Sequence, residues 1–220
     1  MRIQLLHAHL APPGKQRLLS SLATALEDPR MQSCRMVVAF AKRSGVSRLL
    51  PYIRAFRLRG GTIEVNVGVD VQGTSREALE LLLSEVDEVY VTHQPGSTCT
   101  FHPKLYLFEG ADAARAMVGS HNLTAGGLEV NYESGVEFEF SFPADHELWK
   151  REFEPAWTGL QPAVHPNTAP LDQQLLKKLI DAEIVIDERF VRQKSRNAKG
   201  VGEMGECEEG SGRDWGMRGE

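Results

Sequence analysis

The chain has 220 residues, 41% of them apolar, and a formal net charge of −5, which suffices for one α/β domain with a buried core and leaves no room for a second large one. No apolar run approaches bilayer length, and the N-terminus lacks a basic region followed by an apolar stretch and a small-residue cleavage site, so a soluble cytoplasmic protein without membrane contact is expected. The negative charge speaks against a protein that coats nucleic acid, and the scattered Cys34, Cys99 and Cys207, without CxxC spacing, suggest neither a disulfide framework nor a zinc site.

Taken in chain order, residues 15–27 place Leu18, Leu19, Leu22, Ala25 and Leu26 at helical spacing and predict a first helix. A β-branched and aromatic run over 35–41 reads as a buried strand, followed after Gly45 by a helix to Arg57 that Gly60-Gly61 ends. Alternation of Ile63, Val65, Val67 and Val69 predicts a strand over 62–69. Thr74 with Glu77 forms a capping-box pattern for a helix over 75–84, and a strand over 88–92 follows. Such a strand–helix succession implies right-handed crossovers in a sheet flanked by helices.

Three further strands are expected over 102–108, 114–118 and 132–142, separated by short turns and in part antiparallel. Helical patterns at 145–157 and 171–184 close a domain spanning 1–192, and the composition of 193–220 predicts a disordered tail. The fold class is therefore α/β, with a mixed, largely parallel sheet between helices. Between Arg30 and Gly61 stand eight basic residues and no acid. They offer a phosphate-binding face, with Lys42, Arg43 and Arg48 as candidate DNA contacts, or else a solvated helix balanced by Glu77, Glu80 and Glu85.

The chemistry concentrates in the second half. His102 and Lys104 lie two apart on an expected strand, so both side chains share a face while Leu105 and Leu107 point the other way. A phosphodiester is negatively charged and repels nucleophiles, so cleaving it takes fixed positive charge, a nucleophile and an acid for the leaving oxygen. Lys104 supplies the first and His102 either of the others. Gly119-Ser120-x-Asn122, entering a tight turn over 124–127, adds a hydroxyl and an amide as phosphate donors. Glu133 can accept from an imidazole N–H and fix its tautomer. Each piece alone is commonplace; His-x-Lys on a strand is usually coincidence, and Gly-Ser-x-Asn is usually a turn.

Together and in this order, His102-x-Lys104, Gly119-Ser120-x-Asn122 and Glu133 resemble the phospholipase D superfamily, and its nuclease branch most closely. The wording FHPKLYLF, GSHNLTAGGL and NYE, preceded by Gly68-Val-Asp and Gly73-Thr-Ser, is similar to the catalytic domain of metal-independent restriction endonucleases. The resemblance spans about residues 34–142. The acid that many members carry after the lysine has only Glu109 as a loose counterpart, to which no role is assigned.

The resemblance implies a phosphodiesterase that needs neither metal nor cofactor. His102, Lys104, Asn122 and Glu133 would be catalytic, and Lys104, Ser120 and Asn122 would bind phosphate. One histidine forms a phosphohistidine while a second protonates the leaving oxygen and later activates water. This chain has a single such motif, so the second histidine is expected from His102 of a symmetry mate, in a homodimer whose site lies on the two-fold axis. His121 is expected only to line the turn. The implied substrate is DNA, in a restriction or defence setting, with a separate DNA-recognition or helicase partner supplying site specificity. Two rivals stand beside this reading: a phospholipid phosphodiesterase, disfavoured because no basic amphipathic helix is evident, and a non-enzymatic nucleic-acid-binding module of a larger complex.

Overall fold

The structure, a computed structural model, describes residues 1–7, 18–96 and 99–189, and the fold below is that of the unit Met1–Glu188. The expected tail at 193–220, and the expected start of the first helix at residues 15–17, lie outside the described residues. In chain order the elements are β1 (Arg2–His7), α1 (Leu18–Glu27), β2 (Ser33–Val38), α2 (Arg43–Leu58), β3 (Thr62–Gly68), α3 (Arg76–Glu85), β4 (Glu88–Thr92), β5 (Lys104–Glu109), β6 (Ala113–Gly119), β7 (Ser134–Ser141), α4 (His146–Glu152), α5 (Glu154–Thr158), β8 (Thr168–Pro170) and α6 (Gln173–Asp181).

The eight strands form one sheet in the order β1-β7-β6-β5-β2-β3-β4-β8. A mixed sheet flanked by helices was expected; its parallel part is narrower than expected. Only β2–β3 and β3–β4 run parallel, joined by the α2 and α3 crossovers, and the remaining pairings are antiparallel. Part of the reason lies in the connections: the three-residue turn between β5 and β6 can join only antiparallel neighbours, because a parallel return needs a crossover.

Alternation along the strands divides the interior into two layers. On one face Cys34, Met36, Val38, Ile63, Val65, Val67, Tyr106 and Phe108 pack against Leu22 and Leu26 of α1, Leu49, Ile53 and Phe56 of α2, and Leu79 and Leu82 of α3. On the other, Leu105, Leu107, Ala116 and Phe140 meet the aromatic cluster of Trp149, Phe153 and Trp157. The opposite facing of Leu105 and Leu107 relative to Tyr106 is as expected from the period of two.

Two local expectations are corrected. The helix foreseen over 145–157 breaks into α4 and α5 at Phe153, because Pro155 has no N–H to donate and fits only a first turn. The cap of α3 is Ser75, whose hydroxyl accepts from the Ala78 N–H at 3.2 Å, and not Thr74. Thr74 is fully buried, and its hydroxyl donates to the Gly68 carbonyl at 2.6 Å and accepts from the Ala41 N–H at 3.1 Å. It thereby ties the ends of β2 and β3 together. Strands β1 and β8 were not anticipated. Replacing Thr74 by the isosteric Val leaves a buried N–H and C=O unpaired, so Thr74→Val should cost about 1–3 kcal/mol in urea unfolding.

Candidate active site

Register brings the candidate residues to one edge of the sheet. Lys104, the first residue of β5, pairs with Val38, the last of β2. Gly119 at the end of β6 pairs with Gly135 near the start of β7. His102, Ser120, Asn122 and Glu133 therefore all leave the sheet at the edge where the parallel strands end. His102 itself lies before β5, not within it.

The contact at the centre is between lysine and histidine. Lys104 is buried, yet its Nζ lies 2.6 Å from Nδ1 and 3.0 Å from Nε2 of the exposed His102, and donates to the His102 carbonyl at 2.9 Å. An ammonium only donates, so the ring nitrogen that receives it is the unprotonated one. Burial pulls the Lys104 pKa below its ordinary value, and the negative charge of Glu133 pushes it back up.

Asn122 is held from β2. Its Oδ1 accepts from the Phe40 N–H at 3.2 Å; because a backbone N–H can only donate, the carboxamide orientation is set, and the NH₂ is the end left to donate. The Phe40 ring also meets His102 edge-to-face, with centroids 5.5 Å apart. Phe40 thus touches both motifs. A Cβ on Gly73 would fall 2.0 Å from the Phe40 ring and one on Gly68 would fall 2.8 Å from that of Phe101, so the two glycines quoted from the sequence are there for close approach.

Glu133 is half-buried and precedes β7. Its carboxylate accepts from the Ser120 hydroxyl and from Asn131 Nδ2 at 3.2 Å, and within this chain it makes no hydrogen bond to His102. The Ser120 hydroxyl also accepts from the Ser134 N–H at 3.2 Å, so it is committed to holding the turn. His121 is 2% exposed, its Nε2 is unpartnered among the described residues, and burial lowers its pKa while Glu133 opposes the shift. It packs against Gly119 and Gly135 beneath the site, in keeping with a residue that lines the turn. Glu109 lies at the far end of β5 and pairs with Arg35 at 3.3 Å.

Most arginines of the basic run over 30–61 are paired within the chain. Arg30 pairs with Asp28, Arg35 with Glu64 and Glu109, Arg48 with Glu129, Arg54 with Glu85 and Arg57 with Asp87. Arg59 donates to the carbonyls of Leu26 and Met31. These pairs fit the charge-balanced alternative, with acids other than those anticipated save Glu85, because crossover packing sets α2 beside α3 and the β3–β4 edge. Of the candidate DNA contacts, Arg48 is spent on Glu129 and the Ser44 carbonyl. Lys42 and Arg43 remain, at the start of α2 beside the Leu123 carbonyl that receives the Lys42 N–H. Burial lowers the Lys42 pKa, opposed by Glu188 and Glu77. Among the described residues no three His, Cys, Asp or Glu side chains converge to hold a metal ion, and no helix is long and apolar enough to cross a membrane.

An imidazole, an ammonium and a carboxamide thus stand together at one edge of a helix-flanked mixed sheet in an α/β protein. The chain belongs to the phospholipase D superfamily: residues 26–157, more than half of its length, match the family model described as "Cardiolipin synthase, PLD-like domain". Enzymes of this superfamily cleave or transfer phosphodiesters. Among solved structures, the fold is similar to Nuc, a phospholipase D family member from Salmonella typhimurium, at 16% identity and a TM-score of 0.52, over 78% of this chain and 99% of that one. NucT from Helicobacter pylori aligns at 12% identity and a TM-score of 0.50, over 77% and 99% of the two chains. Phosphatidylserine synthase from Haemophilus influenzae aligns at 13% identity and a TM-score of 0.53, over 90% of this chain and 47% of that one. No curated protein sequence matches the chain significantly.

In the sequence, Gly68-Val-Asp and Gly73-Thr-Ser carry no assigned role, and nothing local marks Phe40. An aspartate directly after a buried strand was the available signal. Because Glu133 holds the Lys104 pKa up, Glu133→Gln should lower it further. With Lys104 as the cation that the resemblance implies, the alkaline limb of the pH–rate profile should move to lower pH in that variant, and ¹⁵N NMR titration of Lys104 Nζ checks the same shift directly.

Proposed function

We propose that the chain is a metal-independent phosphodiesterase acting on DNA, with His102 as nucleophile. The observation that carries this reading is the buried Lys104 ammonium held against the exposed His102 imidazole. Cation and nucleophile then stand at one phosphate; Lys104 passes its hydrogen bond from the ring nitrogen to a nonbridging oxygen, which frees the imidazole lone pair to attack and sets positive charge where negative charge develops. A ring nitrogen of His102 attacks phosphorus, and the P–O bond to the leaving oxygen breaks with its electron pair. The partner subunit's His102 gives that oxygen a proton. Water then loses a proton to the same imidazole, its oxygen attacks phosphorus, and the P–N bond breaks to restore His102. Lys104 and the Asn122 amide stabilise the nonbridging oxygens, and Glu133 sets the charge of the lysine.

The homodimer is part of the proposal, since one chain supplies one His-x-Lys motif. A strip of apolar side chains beside the half-site suits a second copy. Leu5 lies opposite Val136, and Val136 opposite Val118, while Ile3, Leu5 and Val118 are 56%, 55% and 41% exposed. The strip ends one residue short of Gly119 and Gly135, so an isologous contact there sets two half-sites side by side. The DNA substrate and a role in restriction or defence in the cytoplasm rest on the restriction-endonuclease wording of the motifs. Lys42 and Arg43 would contact the backbone, and a separate DNA-recognition or helicase partner would supply sequence choice.

Wild type should nick plasmid and hydrolyse bis(p-nitrophenyl) phosphate in excess EDTA, and His102→Ala should lose both activities by at least about a hundredfold. DNA retardation without turnover would favour a binding module, and preference for phospholipid vesicles would favour the lipid enzyme. Leu5→Glu should convert dimer to folded monomer in sedimentation velocity and abolish cleavage; a fully active monomer would refute the shared site.

A further inference from the structure

His102 stands outside the strand that holds its partner. Lys104 is fixed by the ladders of β5 with β2 and β6, whereas His102 precedes them and is exposed. Something else has to set its position, and one carboxylate engages both ends of the loop that leads to it. Asp70, two residues beyond β3, is 8% exposed. Its Oδ1 accepts from the Gln94 N–H at 2.9 Å and lies 2.8 Å from His93 Nδ1. Its Oδ2 accepts from the N–H of Phe101, the residue before His102, at 2.9 Å.

The surroundings follow the same geometry. The Phe101 ring and carbonyl lie over Gly68, where a Cβ would come within 2.8 Å and 3.3 Å of them. Directly after Asp70 the backbone enters the left-handed region at Val71 (φ 50°) and Gln72 (φ 54°). That region is uncommon for a β-branched residue, and Val71 is 73% exposed, so its own packing does not account for it. A turn bent to present Asp70 does. Burial alone would raise the carboxyl pKa, but the N–H groups of Gln94 and Phe101 and the imidazole of His93 outweigh it and hold it below the usual value.

We propose that Asp70 is a positioning residue for the nucleophile: its buried carboxylate clamps both ends of the β4–β5 loop and so fixes His102 against Lys104 and Phe40. This rests on the reading of His102 as nucleophile. His93 belongs to the clamp and takes no proton from the substrate.

The test uses the full chain with two substitutions, Asp70→Asn and His93→Gln. Asn keeps the shape but can accept on one side only, so one loop N–H meets another donor. Misplacing a nucleophile by about an ångström costs up to about a hundredfold. Asp70→Asn should therefore lower kcat on bis(p-nitrophenyl) phosphate by roughly tenfold to a hundredfold, with KM within about twofold of wild type. Amide hydrogen exchange should quicken at Gln94 or Phe101, whichever loses its acceptor, while β2 and β3 keep their protection. His93→Gln, at the rim, should loosen the same amides less and lower kcat less. Unchanged exchange at both Gln94 and Phe101 in folded Asp70→Asn, wild-type kcat in Asp70→Asn, or a larger kcat loss in His93→Gln overturns the proposal. If wild type cleaves no phosphodiester, the functional reading fails by itself and the exchange experiment still decides the clamp.

Discussion

The antiparallel ladder between β2 and β5 is the constraint on which the rest depends. It joins the crossover half of the chain to the meander half, and its register sets Val38 opposite Lys104. Because β2 also runs parallel to β3, the residues that follow β2 and β3 emerge at the edge where β5 begins. Phe40 can then bond Asn122 and pack on His102, and Asp70 can reach Phe101. A slip of one residue would turn Lys104 and its charge toward the aromatic cluster and carry Leu105 and Leu107 off that face.

Charge is local in this molecule. The arginines of α2 and its surroundings are neutralised by acids from other elements, and exposed pairs of this kind contribute little to stability. What they do is remove a diffuse positive face. Among the described residues, Lys104, Lys42 and Arg43 are the cations left beside the site, two of them with pKa values drawn down by burial. With a net charge of −5, such a protein attracts a phosphate at one place and repels a polyanion elsewhere. That pattern suits a phosphodiesterase better than a coating protein.

Some features were legible in the residues and others were not. Strand β4 was bounded from the sequence as it stands, and β2, β3 and β5 to β7 to within about three residues, because each carries a β-branched or alternating run that side-chain burial alone selects. Strands β1 and β8 were invisible. Ile3 and Leu5 of β1 leave apolar side chains exposed, and β8 is three residues containing Pro170, defined only by its pairing with β4. The capping role given to Thr74 passed to Ser75 because a long-range demand from Gly68 and Ala41 outweighed a local one.

The sequence by itself determined the fold class and the order of the main elements, since strand period is a local property, and its motif wording singled out His102, Lys104, Asn122 and Glu133 through their resemblance to the phospholipase D superfamily. Tertiary structure decided the rest. Which strands run antiparallel, which acids neutralise the arginines, how Phe40 links two motifs and how Asp70 reaches the loop before His102 all depend on contacts between residues dozens of positions apart. Such contacts are fixed by sheet register and crossover packing, which no local pattern encodes.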